Sequence, residues 1–171
     1  MMSKNEYDCY DQLSHWGKAT GIEVIRIENV GRPLPDMVWL FKGLTIWQEA
    51  KILRNNKIQI RVNAHANMMR MRHMLRPWML TYLVWDDETS SYRAYDFEEC
   101  TKAGIESSDS RPGVGFINLL GIKYRYLFTN KEEFSQYVEH ILDQAYPARV
   151  RNREKLKQAA EESIKNGIGF E

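Results

Sequence analysis

The apolar positions of the chain follow two periods, and their alternation along the sequence predicts a mixed α/β fold. A two-residue period, or a run of β-forming residues, predicts strands at 22–28, 36–41, 44–51, 57–62, 80–85, 91–97 and 122–128. Lys42 and Gly43 alone separate the second and third of these runs, which indicates a hairpin with a two-residue loop.

Helical spacing appears before, between and after the predicted strands. Ser3 and Glu6 have the spacing of a capping box, and Gly21 stands where that first helix would stop. Asn63 can cap a second helix, whose apolar stripe ends before Pro77.

Two further helices are predicted near the C-terminus. Thr129 and Glu132 form a second capping-box pattern, followed by apolar residues at helical spacing. Beyond Pro147 a highly charged segment runs to Gly167 and predicts a mostly exposed helix. The order of elements indicates an α/β sandwich built around one sheet.

The composition bounds the size and class of the protein. Hydrophobic residues make up 43% and charged residues 27% of the 171 residues, as in a globular protein. We expect one domain at 1–146 and a charged helical extension at 147–171. The net charge of +1 gives no global argument for nucleic-acid binding, so that argument depends on local clustering.

The cysteines and the N-terminus indicate the compartment. Cys9 and Cys100 are too few for a disulfide framework or a four-cysteine zinc site. The first residues are polar, and no apolar run is long enough to cross a membrane. These features predict a cytoplasmic protein with no membrane partner.

The predicted hairpin brings three charged residues together. With Lys42 and Gly43 in the loop, Asp36 lies directly opposite Glu49. Lys51 shares the face of Glu49 because strand side chains alternate with a period of two. Two facing carboxylates repel each other, whereas a divalent cation between them would be bound by hard oxygen ligands. The alternative is ordinary surface charge at the strand ends.

The residues Pro35-Asp36 followed by Glu49-Ala50-Lys51 resemble the motif of the PD-(D/E)XK nuclease superfamily. The resemblance covers about residues 6–85 and is closest to small VRR-NUC or Holliday-junction-resolvase-like nucleases of bacteriophages. It implies a restriction-endonuclease-like fold, with a mixed central sheet flanked by helices.

The same resemblance implies roles for individual residues. Asp36, Glu49 and the carbonyl of Ala50 would bind Mg²⁺ or Mn²⁺, and Lys51 would be the catalytic lysine. Glu6 matches a position where many members have an additional acid, or it caps the first helix with Ser3.

Family members often carry a glutamine on the helix after the lysine strand. The polar residues of this chain that could replace it are Gln59 and His65.

A basic segment without acids follows the motif and would contact the DNA backbone. Its predicted DNA-binding residues are Arg54, Lys57, Arg61, Arg70, Arg72 and Arg76. In the alternative interpretation, these cations are solvated and are balanced by acids from 86–90 and 96–100.

The function predicted from these features is a metal-dependent DNA endonuclease, acting at branched DNA in phage recombination or replication. Its location would be the host cytoplasm, and a branched substrate would call for a symmetric homodimer. One rival is a catalytically inactive nuclease-fold protein that binds nucleic acid or belongs to a virion. Another is an inhibitor of a host enzyme that uses Trp39 and Trp47 as surface anchors.

Overall fold

The computed structural model describes residues 3–27 and 34–167. Its helices are α1 Glu6–Thr20, α2 Val62–Met71, α3 Phe97–Lys102, α4 Lys131–Ala145 and α5 Pro147–Lys165. Its strands are β1 Glu23–Arg26, β2 Met37–Phe41, β3 Leu44–Ile52, β4 Lys57–Arg61, β5 Leu80–Asp86, β6 Ser91–Asp96, β7 Glu106–Ser107, β8 Val114–Asn118 and β9 Tyr126–Phe128. The end of the first predicted strand, at residue 28, lies outside the described residues.

A six-stranded sheet forms the centre of the fold, in the order β1-β2-β3-β5-β6-β9. Strands β3 and β5 run parallel, and the other neighbouring pairs are antiparallel. The segment between β3 and β5 carries β4 and α2, so it is long enough for the crossover that a parallel pair requires. The predicted mixed central sheet with flanking helices is confirmed, and so is the presence of a helix at the C-terminus.

A second sheet corrects the expectation that there is only one. It has three strands in the order β4-β8-β7, and β7 and β8 lie in a stretch for which no strand was predicted. The last strand of the central sheet is also shorter than predicted, because only Tyr126–Phe128 of the segment 122–128 is extended.

The hairpin of β2 and β3 has the predicted two-residue loop. Lys42 and Gly43 have φ values of 49° and 76°, the combination that a type I′ turn requires. Met37 pairs with Gln48, and the register continues to the turn, as the sequence predicts.

The predicted N-terminal cap of α1 is wrong in its residues. The cap of α1 is Asn5, whose side chain accepts from the N–H of Asp8 at 2.9 Å, while Asp8 accepts from the N–H of Asn5 at 2.8 Å. Ser3 and Glu6 have the same spacing but do not form this box. The predicted stop at Gly21 is confirmed, since that residue is the left-handed C-cap.

The caps of α2 and α4 are also displaced by a residue or two. Arg61 is the N-cap of α2, and the side chain of Asn63 accepts from the next N–H instead. At α4 the N–H of Glu133 donates to Asn130 at 2.9 Å, and the carboxylate of Glu133 accepts from the N–H of Thr129 at 2.6 Å.

Apolar side chains pack on both faces of the central sheet. On one face, rings from α1, β2, β6, β9 and the start of α4 contact one another edge-on or stacked, and these are Trp16, Trp39, Tyr92, Phe128 and Phe134. The other face packs against the small sheet, α2 and α3, through residues that include Ile58, Ile60, Met68, Tyr82, Val84, Tyr95 and Phe97. Both cysteines are buried and unpaired.

The chain divides into two compact units, residues 1–135 and 136–171. Within the second unit, Arg149 and Arg153 of α5 pair with Glu139 and Asp143 at 2.9 and 2.5 Å. The boundary expected at residue 146 stays a prediction. Among the described helices, none has the length and apolarity needed to cross a membrane.

Gln48 of β3 offers a test of core energetics. Its side chain is fully buried, and among the described residues neither atom of its amide has a hydrogen-bond partner. An unsatisfied buried polar group costs about 1–3 kcal/mol. We expect Gln48→Met to raise the free energy of unfolding by about 1 kcal/mol, measured by urea denaturation.

Gln59→Met on β4 is the matched control. Gln59 is exposed, and its amide oxygen accepts from Arg111 at 3.3 Å, so its replacement should change stability by less than about 0.5 kcal/mol. A loss of stability in Gln48→Met would mean that the buried amide is satisfied in solution.

Candidate active site

The open end of the β2–β3 hairpin brings Asp36, Glu49 and Lys51 into contact. The backbone N–H of Asp36 donates to Oε2 of Glu49 at 3.1 Å. Oδ2 of Asp36 accepts from the backbone N–H of Ala50 at 3.2 Å. The ammonium of Lys51 lies 3.0 Å from Oε1 of Glu49. The three residues therefore form one connected cluster, in the arrangement that the hairpin register predicts.

Pro35 explains why the ladder between β2 and β3 opens at this point. Continuing the observed register would place Pro35 opposite Ala50, and proline has no N–H to donate to the carbonyl of Ala50. The N–H of Ala50 instead donates to the carboxylate of Asp36.

Glu6 of α1 joins the cluster from a different part of the sequence. Its Oε1 lies 3.3 Å from the ammonium of Lys51, and its side chain is 46% exposed. Because Asn5 and Asp8 form the cap, the cap interpretation of Glu6 is wrong. Glu6 lies beside Lys51, and its role as an additional acid of the site stays a prediction.

Burial and mutual repulsion destabilise the charged forms of the two central carboxylates. Burial, followed by the charge of Glu49, raises the pKa of Asp36 to about 7. Burial also raises the pKa of Glu49. Burial acts to lower the pKa of Lys51, but the carboxylates of Glu49, Glu6 and Asp36 outweigh it and raise that pKa. The lysine therefore stays an ammonium at neutral pH. Its single positive charge does not offset the burial that raises the pKa values of the two carboxyl groups.

A concave cavity of about 270 Å³ opens over this cluster. Residues from α1, β1, the hairpin and the start of α2 line it. They are Glu6, Tyr7, Tyr10, Arg26, Leu34, Asp36, Met37, Glu49, Ala50, Lys51, Arg61 and Ala64. The predicted catalytic residues are thus at the base of a cleft that a substrate group can enter.

The donor set of the cluster fits a small hard cation. Mg²⁺ is usually bound by one or two carboxylates together with water and phosphate oxygens. Asp36 and Glu49 supply two carboxylates, and the backbone N–H of Ala50 holds the carboxylate of Asp36 in place. No group of three or more His, Cys, Asp or Glu side chains suited to a metal occurs in the described part of the chain. A site here would therefore need water or substrate ligands.

The two predicted helix polar residues lie away from the cavity. Nδ1 of His65 is 2.7 Å from the hydroxyl of Tyr82, and the imidazole is buried against the ring of Phe97. Burial, followed by the charge of Arg72, lowers the pKa of His65. The amide of Gln59 meets Arg111 on the small sheet. Neither residue is among those that line the cavity.

The predicted DNA-binding cations fall into two groups. Arg54 pairs with Asp87 at 2.9 Å, and Lys57 pairs with Glu106 at 2.7 Å, so acids from elsewhere in the fold balance both. Arg61 is exposed and lines the cavity. Of the predicted set, it is the cation placed beside the carboxylates.

The remaining three cations lie on or just after α2. Arg70 is exposed and donates to the side chain of Asn67 at 3.2 Å. Arg76 is also exposed, whereas Arg72 is partly buried. None of the three pairs with an acid among the described residues, so Arg70 and Arg76 offer charge to a phosphate backbone.

The two tryptophans proposed as surface anchors are in the core. Trp39 is fully buried against Phe134, and Trp47 is half-buried against the apolar cluster of the other face. The hypothesis of an inhibitor that binds through these side chains therefore loses its anchors.

Sequence reasoning missed three residues at the mouth of the cavity. Tyr7 and Tyr10 fall in the first predicted helix and Arg26 in the first predicted strand, and no functional role was predicted for them. The guanidinium carbon of Arg26 lies 4.1 Å from the ring centroid of Tyr7. The sequence does place Tyr7 next to Glu6. That neighbour indicates a site residue once the contact between Glu6 and Lys51 is known.

Comparison with solved structures finds 14 similar chains. No protein-family model matches the chain, and no curated protein does. The fold is similar to that of Hjc, a Holliday junction resolvase from the archaeal hyperthermophile Archaeoglobus fulgidus, with 12% sequence identity and a TM-score of 0.45. The similarity covers 66% of this chain and 89% of the resolvase.

Proposed function

We propose that this protein is a PD-(D/E)XK-type nuclease that hydrolyses phosphodiester bonds in DNA with Mg²⁺ or Mn²⁺ as cofactor. The observation that carries the proposal is the meeting of Asp36, Glu49 and Lys51 at the base of an open cavity. Two buried carboxylates with raised pKa values destabilise a fold, so their presence needs a compensating role. Binding of a divalent cation supplies that role.

Each of the three residues then has a defined task. Asp36 and Glu49 hold the cation, together with the carbonyl of Ala50. When bound, Mg²⁺ polarises a phosphate and lowers the pKa of a bound water. Lys51 keeps its proton because the surrounding carboxylates raise its pKa, so it acts as a hydrogen-bond donor and not as a base. In that role it stabilises the negative charge that develops on the scissile phosphate.

Exposed cations beside the cavity would position the DNA. Arg61 lines the cavity itself, and Arg70 and Arg76 follow it in sequence on and after α2. Contacts of this kind fix the position of a phosphate backbone without reading its sequence. Branched DNA is the substrate that the sequence motif suggests, and it would require two copies of the site in a homodimer.

A cleavage assay with purified protein tests the proposal. We expect nicking or cutting of plasmid, single-stranded or four-way-junction DNA with Mg²⁺ or Mn²⁺, and none in EDTA. Glu49→Gln should lower the rate by about 10²-fold or more, because it removes a charged ligand of the cation.

The matched control is Glu106→Gln, which replaces an exposed glutamate that pairs with Lys57 on the small sheet. It should leave the cleavage rate within about twofold. Salt-sensitive DNA binding without any cleavage would replace the nuclease by the inactive, nucleic-acid-binding protein. Cleavage that persists in EDTA would contradict the assigned cofactor.

A further inference from the structure

The mouth of the cavity carries an aromatic side chain that the chemistry at its base does not use. Tyr7 is 59% exposed, although it stands one residue from Glu6, which contacts Lys51. An exposed ring at this cavity can contact a ligand that enters it, and burying such a ring is favourable.

Arg26 covers one face of this ring and fixes its direction. The guanidinium lies over the ring at 4.1 Å from the centroid, a distance typical of a cation–π contact. The side chain stays 59% exposed, so part of the ring remains accessible to a ligand. Tyr10 lies one helical turn further on and lines the same cavity. Together the two tyrosines form an aromatic wall on the α1 side.

Two positively charged side chains lie near this wall. Arg61 lines the cavity from the start of α2, and Lys51 lies at its base. Arg26 and Arg61 form no ion pair with any described residue, so both guanidinium charges remain available to a phosphate. An accessible aromatic ring beside positive charge is the arrangement by which proteins bind single-stranded nucleic acid.

The chemistry of the wall selects between forms of DNA. In a duplex the bases stack on one another and present only their edges, so the face of a tyrosine has no base to stack on. An unpaired base exposes its face and can stack on an aromatic ring, at about 1–3 kcal/mol per base. The wall therefore favours DNA in which the nucleotide beside the cleaved bond is unpaired.

We propose that Tyr7, supported by Arg26 and flanked by Tyr10, binds an unpaired nucleobase adjoining the scissile phosphate. DNA with unpaired bases, in single strands, flaps or branch points, is then the preferred substrate, ahead of fully paired duplex. This inference rests on the proposed nuclease function for the cleavage that it describes, but base binding is measured separately from cleavage.

The experiment uses a single-stranded oligonucleotide that contains one 2-aminopurine, whose fluorescence falls when it stacks. In EDTA, where no cleavage is expected, binding to the wild-type protein should quench this fluorescence. Tyr7→Ala should weaken binding of the single strand by about tenfold and abolish the quenching, while duplex binding changes by less than about twofold. Tyr7→Phe should restore both, because it keeps the ring and loses only the hydroxyl.

Tyr124→Ala is the matched control. Tyr124 is an exposed tyrosine that does not line the cavity, so its replacement should leave binding and quenching unchanged. Thermal unfolding of each variant verifies that it is folded. If Tyr7→Ala is not folded, Tyr7→Leu replaces it, because leucine keeps much of the apolar bulk but has no ring to stack on a base.

The possible results separate the two proposals. Quenching that depends on Tyr7, in a protein that cuts no DNA, would support the nucleobase site and remove the nuclease. Metal-dependent cleavage with no quenching, or with equal losses of single-strand and duplex affinity in Tyr7→Ala, would overturn the nucleobase site and leave the nuclease standing.

Discussion

Lys51→Met is expected to lower the rate constant of DNA cleavage by about 10³-fold while DNA affinity changes only a few-fold. In the proposed mechanism, Lys51 supplies a positive charge to a transition state that is more negative than the bound substrate. Loss of one such donor typically costs about 10²–10³ in rate. Single-turnover kinetics with saturating enzyme would measure the cleavage step apart from binding.

The stability of the variant must be measured beside its rate. Lys51 lies 3.0 Å from Glu49, and removing its charge leaves that buried carboxylate without a cation. Lys51→Arg keeps the charge but changes its geometry, so it should fold normally and still cleave slowly. Lys57→Met, on the neighbouring strand β4, is the control and should cleave within about twofold of wild type. An active Lys51→Met protein would refute the role given to this lysine.

Asp36→Asn is expected to make the protein more stable although it abolishes cleavage. In the folded protein, burial and the charge of Glu49 raise the pKa of Asp36 from 3.8 to about 7. The ionised carboxylate is therefore a cost to the fold at neutral pH, and asparagine keeps an oxygen that can accept from Ala50. We expect a gain of about 1–3 kcal/mol in the free energy of unfolding at pH 8 in EDTA.

The gain should depend on pH with a definite sign. A carboxyl whose pKa is higher in the folded state binds its proton more tightly there, so protonation stabilises the fold. The stability that Asp36 contributes is present near pH 4 and is lost as the pH rises to about 7. The difference between Asp36→Asn and wild type should therefore be largest at pH 8 and vanish toward pH 4, as measured by urea unfolding.

Asp143→Asn provides the contrasting case. Its hydrogen bond and ion pair with Arg153 lower the pKa of Asp143, so its neutralisation should cost stability or leave it unchanged. Added Mg²⁺ should stabilise wild type and leave Asp36→Asn unaffected, since only wild type keeps both charged ligands. Equal stabilisation of both proteins by Mg²⁺ would place the cation elsewhere.

The part of the site that the sequence could predict is the part formed by local structure. The loop of Lys42 and Gly43 sets the hairpin register by itself, and the register sets the distance from Asp36 to Glu49. The hairpin is a nearest-neighbour structure, so no knowledge of the rest of the fold is needed to pair its strands.

Errors arose where two sequence patterns compete or where partners are distant. Ser3 with Glu6 and Asn5 with Asp8 both have capping-box spacing, and only the packing of α1 decides between them. Strand β8 pairs with β4 across more than fifty residues of sequence, and Gly113 beside it indicated a turn. The tyrosine wall likewise depends on α1 meeting the hairpin, which no local pattern describes.

The turn at Lys42 and Gly43 has a consequence for how this protein tolerates insertions. Exposed hairpin loops usually accept an extra residue, because they lie outside the core. Here one added residue would shift the pairing of β2 on β3 and turn Asp36 away from Glu49. In a library of single insertions, the tip of this hairpin should therefore be depleted as strongly as the carboxylates themselves. The length of this turn therefore constrains the proposed site, although neither Lys42 nor Gly43 lines the cavity.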